Sequence, residues 1–173
     1  MKTKKRLYIN TMGCQMNVYD SMQMQNRLTP LGYEPTQTLD AADLILINTC
    51  TIRAKAEQKA FSFLGRLAPL KERNPNLIIG IGGCVAQQEG RRILSRVPHV
   101  DLVFGTHAVA RLPHLIQRIE KYRCRLVDVE ISNTLQAQEY ISGPYPQSEI
   151  SSFVTIMRGC DNFCTYCVVP HVR

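Results

Sequence analysis

Leu44-Ile45-Leu46-Ile47, running on through Asn48-Thr49 to Cys50, is a short apolar run that reads as a buried strand. Leu77-Ile78-Ile79-Gly80 repeats the pattern and runs on through Ile81-Gly82-Gly83 to Cys84. Working outward, Leu7 to Asn10 reads as a first strand and Tyr33 to Thr36 as a brief extended piece. Leu102-Val103-Phe104 is a further strand, ending at Gly105. Segments of helical period lie between them. Asp20 to Leu31 reads as a helix with Met22, Leu28 and Leu31 inward, stopped by Gly32. A second helix runs from about Ala54 to Ala68, where Ala56, Ala60, Phe63, Leu64 and Leu67 keep spacings of three and four. Pro69 and Asn74-Pro75-Asn76 are expected to break it. A short helix follows over Gln87 to Ser95. The cleanest helix is Val109 to Arg123, striped by Leu112, Leu115, Ile116 and Ile119, with Pro113 in its opening turn. Alternation of this kind predicts an α/β fold, an open parallel sheet with helices on both faces.

Past this region the character changes. Ile131 to Ser148 is rich in Ser, Asn and Gln and carries two prolines, the composition of a linker. Ile150 to Met157 then reads as a new strand that delivers Cys160 to its C-terminal end. The expected division is a domain over 1–130, a linker over 131–148 and the start of a second domain over 149–173.

The chain has 173 residues, of which 45% are hydrophobic and 20% charged, ordinary values for a water-soluble domain. The longest mostly apolar run, Leu77 to Ala86, is too short and too Gly-rich to span a membrane. Lys2, Lys4, Lys5 and Arg6 lead into a strand rather than an apolar signal core, so no secretion signal is expected. Cysteines without a secretion signal favour metal binding over disulfides and a reducing cytoplasm. The net charge of +7 is uneven. Arg91, Arg92, Arg96, Arg111, Arg118, Lys121, Arg123 and Arg125 face only Asp101 and Glu120 over residues 91–125. Such a region suits a polyanion, or is simply a solvated helix face.

Six of the seven cysteines form two sets of three. Cys160, Cys164 and Cys167 have C-x3-C-x2-C spacing, which can hold three corners of a [4Fe–4S] cube and leave one iron open. Buried thiols, or a redox or zinc half-site on Cys164 and Cys167, are the plainer readings, but they leave Cys160 surplus. Cys14, Cys50 and Cys84 each follow an expected strand within a few residues. In an open parallel sheet the carboxyl ends of the strands share one edge, where ligands bind. These three can therefore converge on a second cluster, with Gly13, Gly82 and Gly83 letting the backbone approach it. They can also be three small hydrophobes at strand ends. Cys124, between Arg123 and Arg125, reads as a structural thiol, and the four histidines show no metal-ligand spacing. Gly80-Ile81-Gly82-Gly83 lacks the third glycine of a dinucleotide fingerprint.

The run Cys160-Asp161-Asn162-Phe163-Cys164-Thr165-Tyr166-Cys167-Val168-Val169-Pro170 resembles the radical S-adenosylmethionine methylthiotransferase family, in its tRNA-modifying branch. Thr11-Met12-Gly13-Cys14-Gln15-Met16-Asn17-Val18-Tyr19-Asp20-Ser21 matches the same family. His171 stands where that family usually has Tyr. The resemblance implies a Rossmann- or flavodoxin-like N-terminal domain, then the first strand and cluster loop of a radical-SAM (β/α) barrel. It implies two [4Fe–4S] clusters, an auxiliary one on Cys14, Cys50 and Cys84 and a radical-generating one on Cys160, Cys164 and Cys167. It places S-adenosylmethionine beside Tyr166, with Phe163 shielding the second cluster from water. It further implies tRNA as substrate, methylthiolation of an isopentenylated adenosine, an electron donor such as a flavodoxin or ferredoxin, and a monomer away from membranes. Related branches act on threonylcarbamoyl adenosine or on a ribosomal-protein aspartate. A non-catalytic iron–sulfur or electron-transfer module is the alternative from another class. A full (β/α)8 barrel needs about 200 residues or more, so the chain reads as an N-terminal fragment, inactive alone.

Overall fold

In the computed structural model, Leu44–Thr49 is a strand (β3) with every residue buried. Its side chains alternate between two apolar layers. Leu44 and Leu46 join one, and Ile45 and Ile47 join the other, as a period of two requires. The structure describes residues 4–51, 54–131, 156–157 and 159–173, with the side chains of 54–56 left aside. The other strands are β1 (Lys5–Met12), β2 (Tyr33–Pro35), β4 (Ile78–Gly83), β5 (Leu102–Phe104) and β6 (Leu126–Asp128). All pair in parallel, in the order β2-β1-β3-β4-β5-β6. The α/β fold expected from the alternation is therefore the one observed. The order reverses at β1/β3, the switch point where flavodoxin-like sheets bind ligands.

Helices cover both faces. On one, α1 (Gln15–Leu28) and α5 (Leu112–Tyr122) pack Met24, Leu28, Leu112, Leu115, Ile116 and Ile119 against Leu44, Leu46 and Phe104. On the other, α2 (Ala54–Arg73) and α4 (Arg91–Arg96) pack Phe63, Leu64, Leu67 and Ile93 against Ile45, Ile47, Ile79 and Val103. The short α3 (Cys84–Glu89) follows β4 directly.

Several expectations need correction. The first helix starts at Gln15, not Asp20, and its buried residues are Asn17, Asp20, Met24 and Leu28. Met22 is only half-buried, and Thr29–Leu31 form a 3-10 turn. Two polar residues on the inner face hid the apolar stripe. Pro69 does not end α2, which runs to Arg73. Gly65, whose carbonyl loses its helical donor to the proline, lies four residues back on the same exposed face, where water can satisfy it. Gly90, at φ +50°, divides the expected helix over Gln87 to Ser95 into α3 and α4. The last helix is preceded by a 3-10 stretch, Thr106–Arg111. Strand β6, at the edge of the sheet among the described residues, had no expectation at all. The expected linker over 131–148, all but its first residue, and the strand over Ile150 to Met157, all but its last two residues, lie outside the described residues. Among the described residues no helix is long and apolar enough to cross a membrane.

Candidate cysteine centre at the carboxyl edge of the sheet

Parallel register aligns three adjacent strands at their carboxyl ends. Met12 of β1 pairs with Thr49 of β3, and Thr49 pairs with Gly83 of β4. Cys50 and Cys84 each come one residue later, and Cys14 two residues after Met12. Neighbouring strands lie about 4.8 Å apart, so the three cysteines leave the sheet side by side at the switch point. Cys50 and Cys84 are each 3% exposed, Cys14 is half-buried, and all three are free thiols.

A buried amide pair underlies them. Asn17 Oδ1 accepts from the Cys14 backbone N–H at 3.3 Å and from its thiol at 3.4 Å. Asn17 Nδ2 donates to Asn48 Oδ1 at 2.9 Å and to the Thr49 carbonyl at 3.0 Å. Asn48 Nδ2 donates to the Asn17 carbonyl at 2.8 Å and to Ser21 Oγ at 3.0 Å. The hydroxyl of Thr49 donates to the Gly82 carbonyl at 2.6 Å. These bonds tie the turns carrying Cys14, Cys50 and Cys84 to one another. Sequence reading missed Asn17 and Asn48 as site residues. The available signal was a polar residue, Asn48, closing an apolar strand.

The glycines at this edge are closely packed within the protein itself. A Cβ on Gly83, where φ is +89°, would stand 2.3 Å from the Thr49 carbonyl oxygen. One on Gly82 would stand 2.3 Å from the Phe104 ring, and one on Gly13 would stand 2.3 Å from Asn17 Oδ1. Close strand contact and packing of Phe104 and Asn17 demand these glycines.

The second set arrives at the same edge. Cys160 and Cys167 are half-buried and Cys164 is exposed, in a loop where the Cys167 N–H donates to the Cys164 carbonyl at 3.0 Å. Phe163 and Tyr166 are 70% and 92% exposed. The Phe163 ring packs edge-on against His171 at 5.7 Å. A helical turn, α6 (Val169–Val172), follows and packs on α3. Val172 is buried, and its carbonyl accepts from Thr106 Oγ1 at 2.8 Å. Arg173 Nη2 lies 3.0 Å from Asp20 Oδ2, with both side chains buried. The Arg173 guanidinium also acts electrostatically on the Cys84 thiol.

Burial pushes the Cys84 thiol above its ordinary range. The neighbouring guanidinium of Arg173 and the Thr51 backbone pull it back, while Cys50 adds to the rise. Burial works against the Arg173 charge, but Asp20 and Cys84 outweigh it and hold the guanidinium above its usual value. Among the described residues, no three His, Cys, Asp or Glu side chains close around a single metal ion. Three thiolates that each hold a separate iron of a cube sit further apart than ligands of one ion, and an all-thiol donor set suits iron–sulfur chemistry. In donor chemistry the residues present fit such a group. Cys124 stands apart, just beyond α5.

The basic region is not one surface. Arg91, Arg92 and Arg96 lie on α4 and Arg118 and Lys121 on α5, on opposite faces of the sheet. Arg111 is ion-paired with Asp128 at 2.6 Å. Arg125 donates to the carbonyls of Leu94, Val97 and Val100. Arg96 stacks 3.8 Å from the Phe61 ring.

The described residues form an open, all-parallel α/β sheet with three free strand-end thiols at its switch point, and the segment after Cys167 packs at the same edge. Residues 6–105 match the family described as Uncharacterized protein family UPF0004, and the chain belongs to that family. It is 55% identical over 98% of its length to the tRNA-2-methylthio-N(6)-dimethylallyladenosine synthase of Desulfosudis oleivorans. It is 48% identical over 98% of its length to the synthase of that name in Syntrophotalea carbinolica, and 47% identical over all of it to the one in Geotalea uraniireducens. The chain spans 36% of the first of these relatives and 39% of the other two. These likenesses agree with the methylthiotransferase resemblance read from the two cysteine motifs.

Proposed function

We propose that this chain belongs to a radical S-adenosylmethionine methylthiotransferase that adds a methylthio group to carbon 2 of an isopentenylated adenosine beside the tRNA anticodon. The observation that carries the reading is the register that sets Cys14, Cys50 and Cys84 side by side, with the segment that follows Cys167 packed at the same edge. In this reading residues 1–130 form the domain of the first triad, 131–148 a linker, and 149–173 the start of the barrel domain. Cys160, Cys164 and Cys167 hold one [4Fe–4S] cluster, and Cys14, Cys50 and Cys84 hold another. When bound, the clusters and S-adenosylmethionine supply the electron, the radical and the methylthio group that the protein's own side chains cannot. The chain's residues hold and orient. Asn17 and Asn48 fix the turns bearing the first triad. Phe163 and Tyr166, exposed here, are the surface against which the cofactor's adenosine and the rest of the barrel pack. A flavodoxin or ferredoxin is the electron donor, the protein works as a monomer in the cytoplasm, and exposed arginines meet the tRNA backbone.

Anaerobic reconstitution tests the site assignment. About eight irons per chain are expected, falling to about four when Cys160, Cys164 and Cys167 are all changed to Ala. Changing Cys14, Cys50 and Cys84 should give the same halving, and Cys124→Ala should change nothing. Loss of all iron from either triple variant would sink the two-site reading. The substrate is tested in the full-length protein by nucleoside mass spectrometry of hypomodified tRNA.

A further inference from the structure

The two cysteine sets are joined by one buried ion pair. Asp20 lies on α1, on the helix that Cys14 opens, and is 5% exposed in its side chain. Arg173 follows α6, on the segment that carries Cys160, Cys164 and Cys167, and is 8% exposed. Between them the guanidinium acts on the Cys84 thiol, while among the described residues Arg173 Nη1 is buried with no hydrogen-bond partner. Thr106 adds a second attachment through the Val172 carbonyl. A cation and a carboxylate buried together at a domain's ligand edge are costly unless each is held by a partner. Arg is the residue suited to such a place, because its rigid fork serves several acceptors at once.

We propose that Arg173 completes the first cysteine site from the second cysteine segment: its Asp20 ion pair latches the segment over α3 and holds a guanidinium at the edge where Cys84 leaves the sheet. Arg173 is a positioning residue in this assignment. Its unpartnered N–H is a donor available to the anionic, thiolate-ligated group that the triad holds, and its charge offsets the charge of the thiolates. The consequence for a cluster rests on the function proposed above; the latch itself is a property of the metal-free chain.

The test begins with the metal-free full chain, alkylated with iodoacetamide and read by peptide mass spectrometry. Asp20→Asn is expected to speed modification of Cys84 by about tenfold or more, because the opening that exposes it becomes easier. Asp20→Glu, which keeps the charge, should remain close to the parent, and Cys124 should react at the parent rate in both. Thr106→Val, which removes the other attachment without touching a charge, should speed Cys84 in the same direction. Unchanged Cys84 rates in both Asp20→Asn and Thr106→Val would overturn the latch. So would equal acceleration of Cys84 and Cys124, which reports general unfolding. The second arm uses reconstituted Cys160/Cys164/Cys167→Ala protein. There Arg173→Met should move the midpoint potential of the remaining cluster more negative, and Arg173→Lys should restore much of it. Identical potentials in all three would remove the electrostatic part of the proposal. Protein that binds no iron at all would defeat the proposed function while leaving the alkylation result standing.

Discussion

Asn48 is fully buried, and its side chain makes three hydrogen bonds within the turn network. Asn48→Leu keeps the number of side-chain heavy atoms and removes every bond, leaving the Asn17 carbonyl without this donor. A buried group stripped of its partner costs about 1–3 kcal/mol, so chemical denaturation should show a loss of that size. A loss within about 0.5 kcal/mol would mean that water replaces the amide. Cys84 gives a second residue-scale expectation, with a definite sign. Burial raises its folded-state pKa above the unfolded value of about 8.5, so the folded chain keeps the thiol proton to higher pH. That contribution to stability is fully present below the unfolded pKa. It is lost as pH rises through the folded value. The metal-free protein should therefore weaken as pH climbs above the ordinary thiol range, and Cys84→Ala should flatten the decline. A parent and variant with parallel stability–pH curves would remove Cys84 as the cause.

At the scale of elements, α2 tolerates Pro69 because the proline lies on its wet face while Leu64 and Leu67 hold the helix to the sheet. Packing outweighs an unfavourable local preference of about 3 kcal/mol for proline in a helix interior. Pro69→Ala should then stabilise the protein, by about 1 kcal/mol or more, because the missing N–H is restored and nothing buried changes. A lower melting temperature in the variant would show that the proline's own ring packs usefully. The same competition explains why the expected boundary at Ala68 fell short of Arg73. It also explains the late expected start of α1. Its first turns bury Asn17 and Asp20, which a hydrophobic period cannot detect.

Across the whole molecule the sheet separates the basic charges. Arg91 and Arg92 are exposed on one side and Arg118 and Lys121 on the other, whereas Arg111 and Arg125 are engaged in structure. If the full-length protein meets tRNA through both faces, reversing either pair to Glu should weaken binding. It should also lower the slope of log affinity against log salt, by about 1 for each phosphate no longer neutralised. Combining the reversals should add their effects, since the pairs share no partner. Unchanged slopes for both would leave these residues as solvated helix faces. The measurement is a salt titration of tRNA binding with the parent, the two single-face variants and their combination side by side.

Local pattern was enough for much of this molecule. Apolar runs of four residues, such as Leu44 to Ile47, can be buried on both faces only as inner strands, so their alternation with amphipathic helices dictated an open parallel sheet. The spacing of Cys160, Cys164 and Cys167 lies within one loop and needs no fold to be read. Placement of Cys14, Cys50 and Cys84 at one edge followed from the same alternation, because parallel strands end together. Tertiary structure alone decided the rest. Pairing of Met12 with Thr49, and Thr49 with Gly83, is a register choice made by sheet packing, and it brings the three turns level. The Asn17–Asn48 pair spans 31 residues and the Asp20–Arg173 pair 153, so neither leaves a periodic trace in the chain. Polar partners that meet only after the core has closed have no local energy term to mark them. Their positions in the sequence look like ordinary surface residues until the sheet and its covering helices bury them.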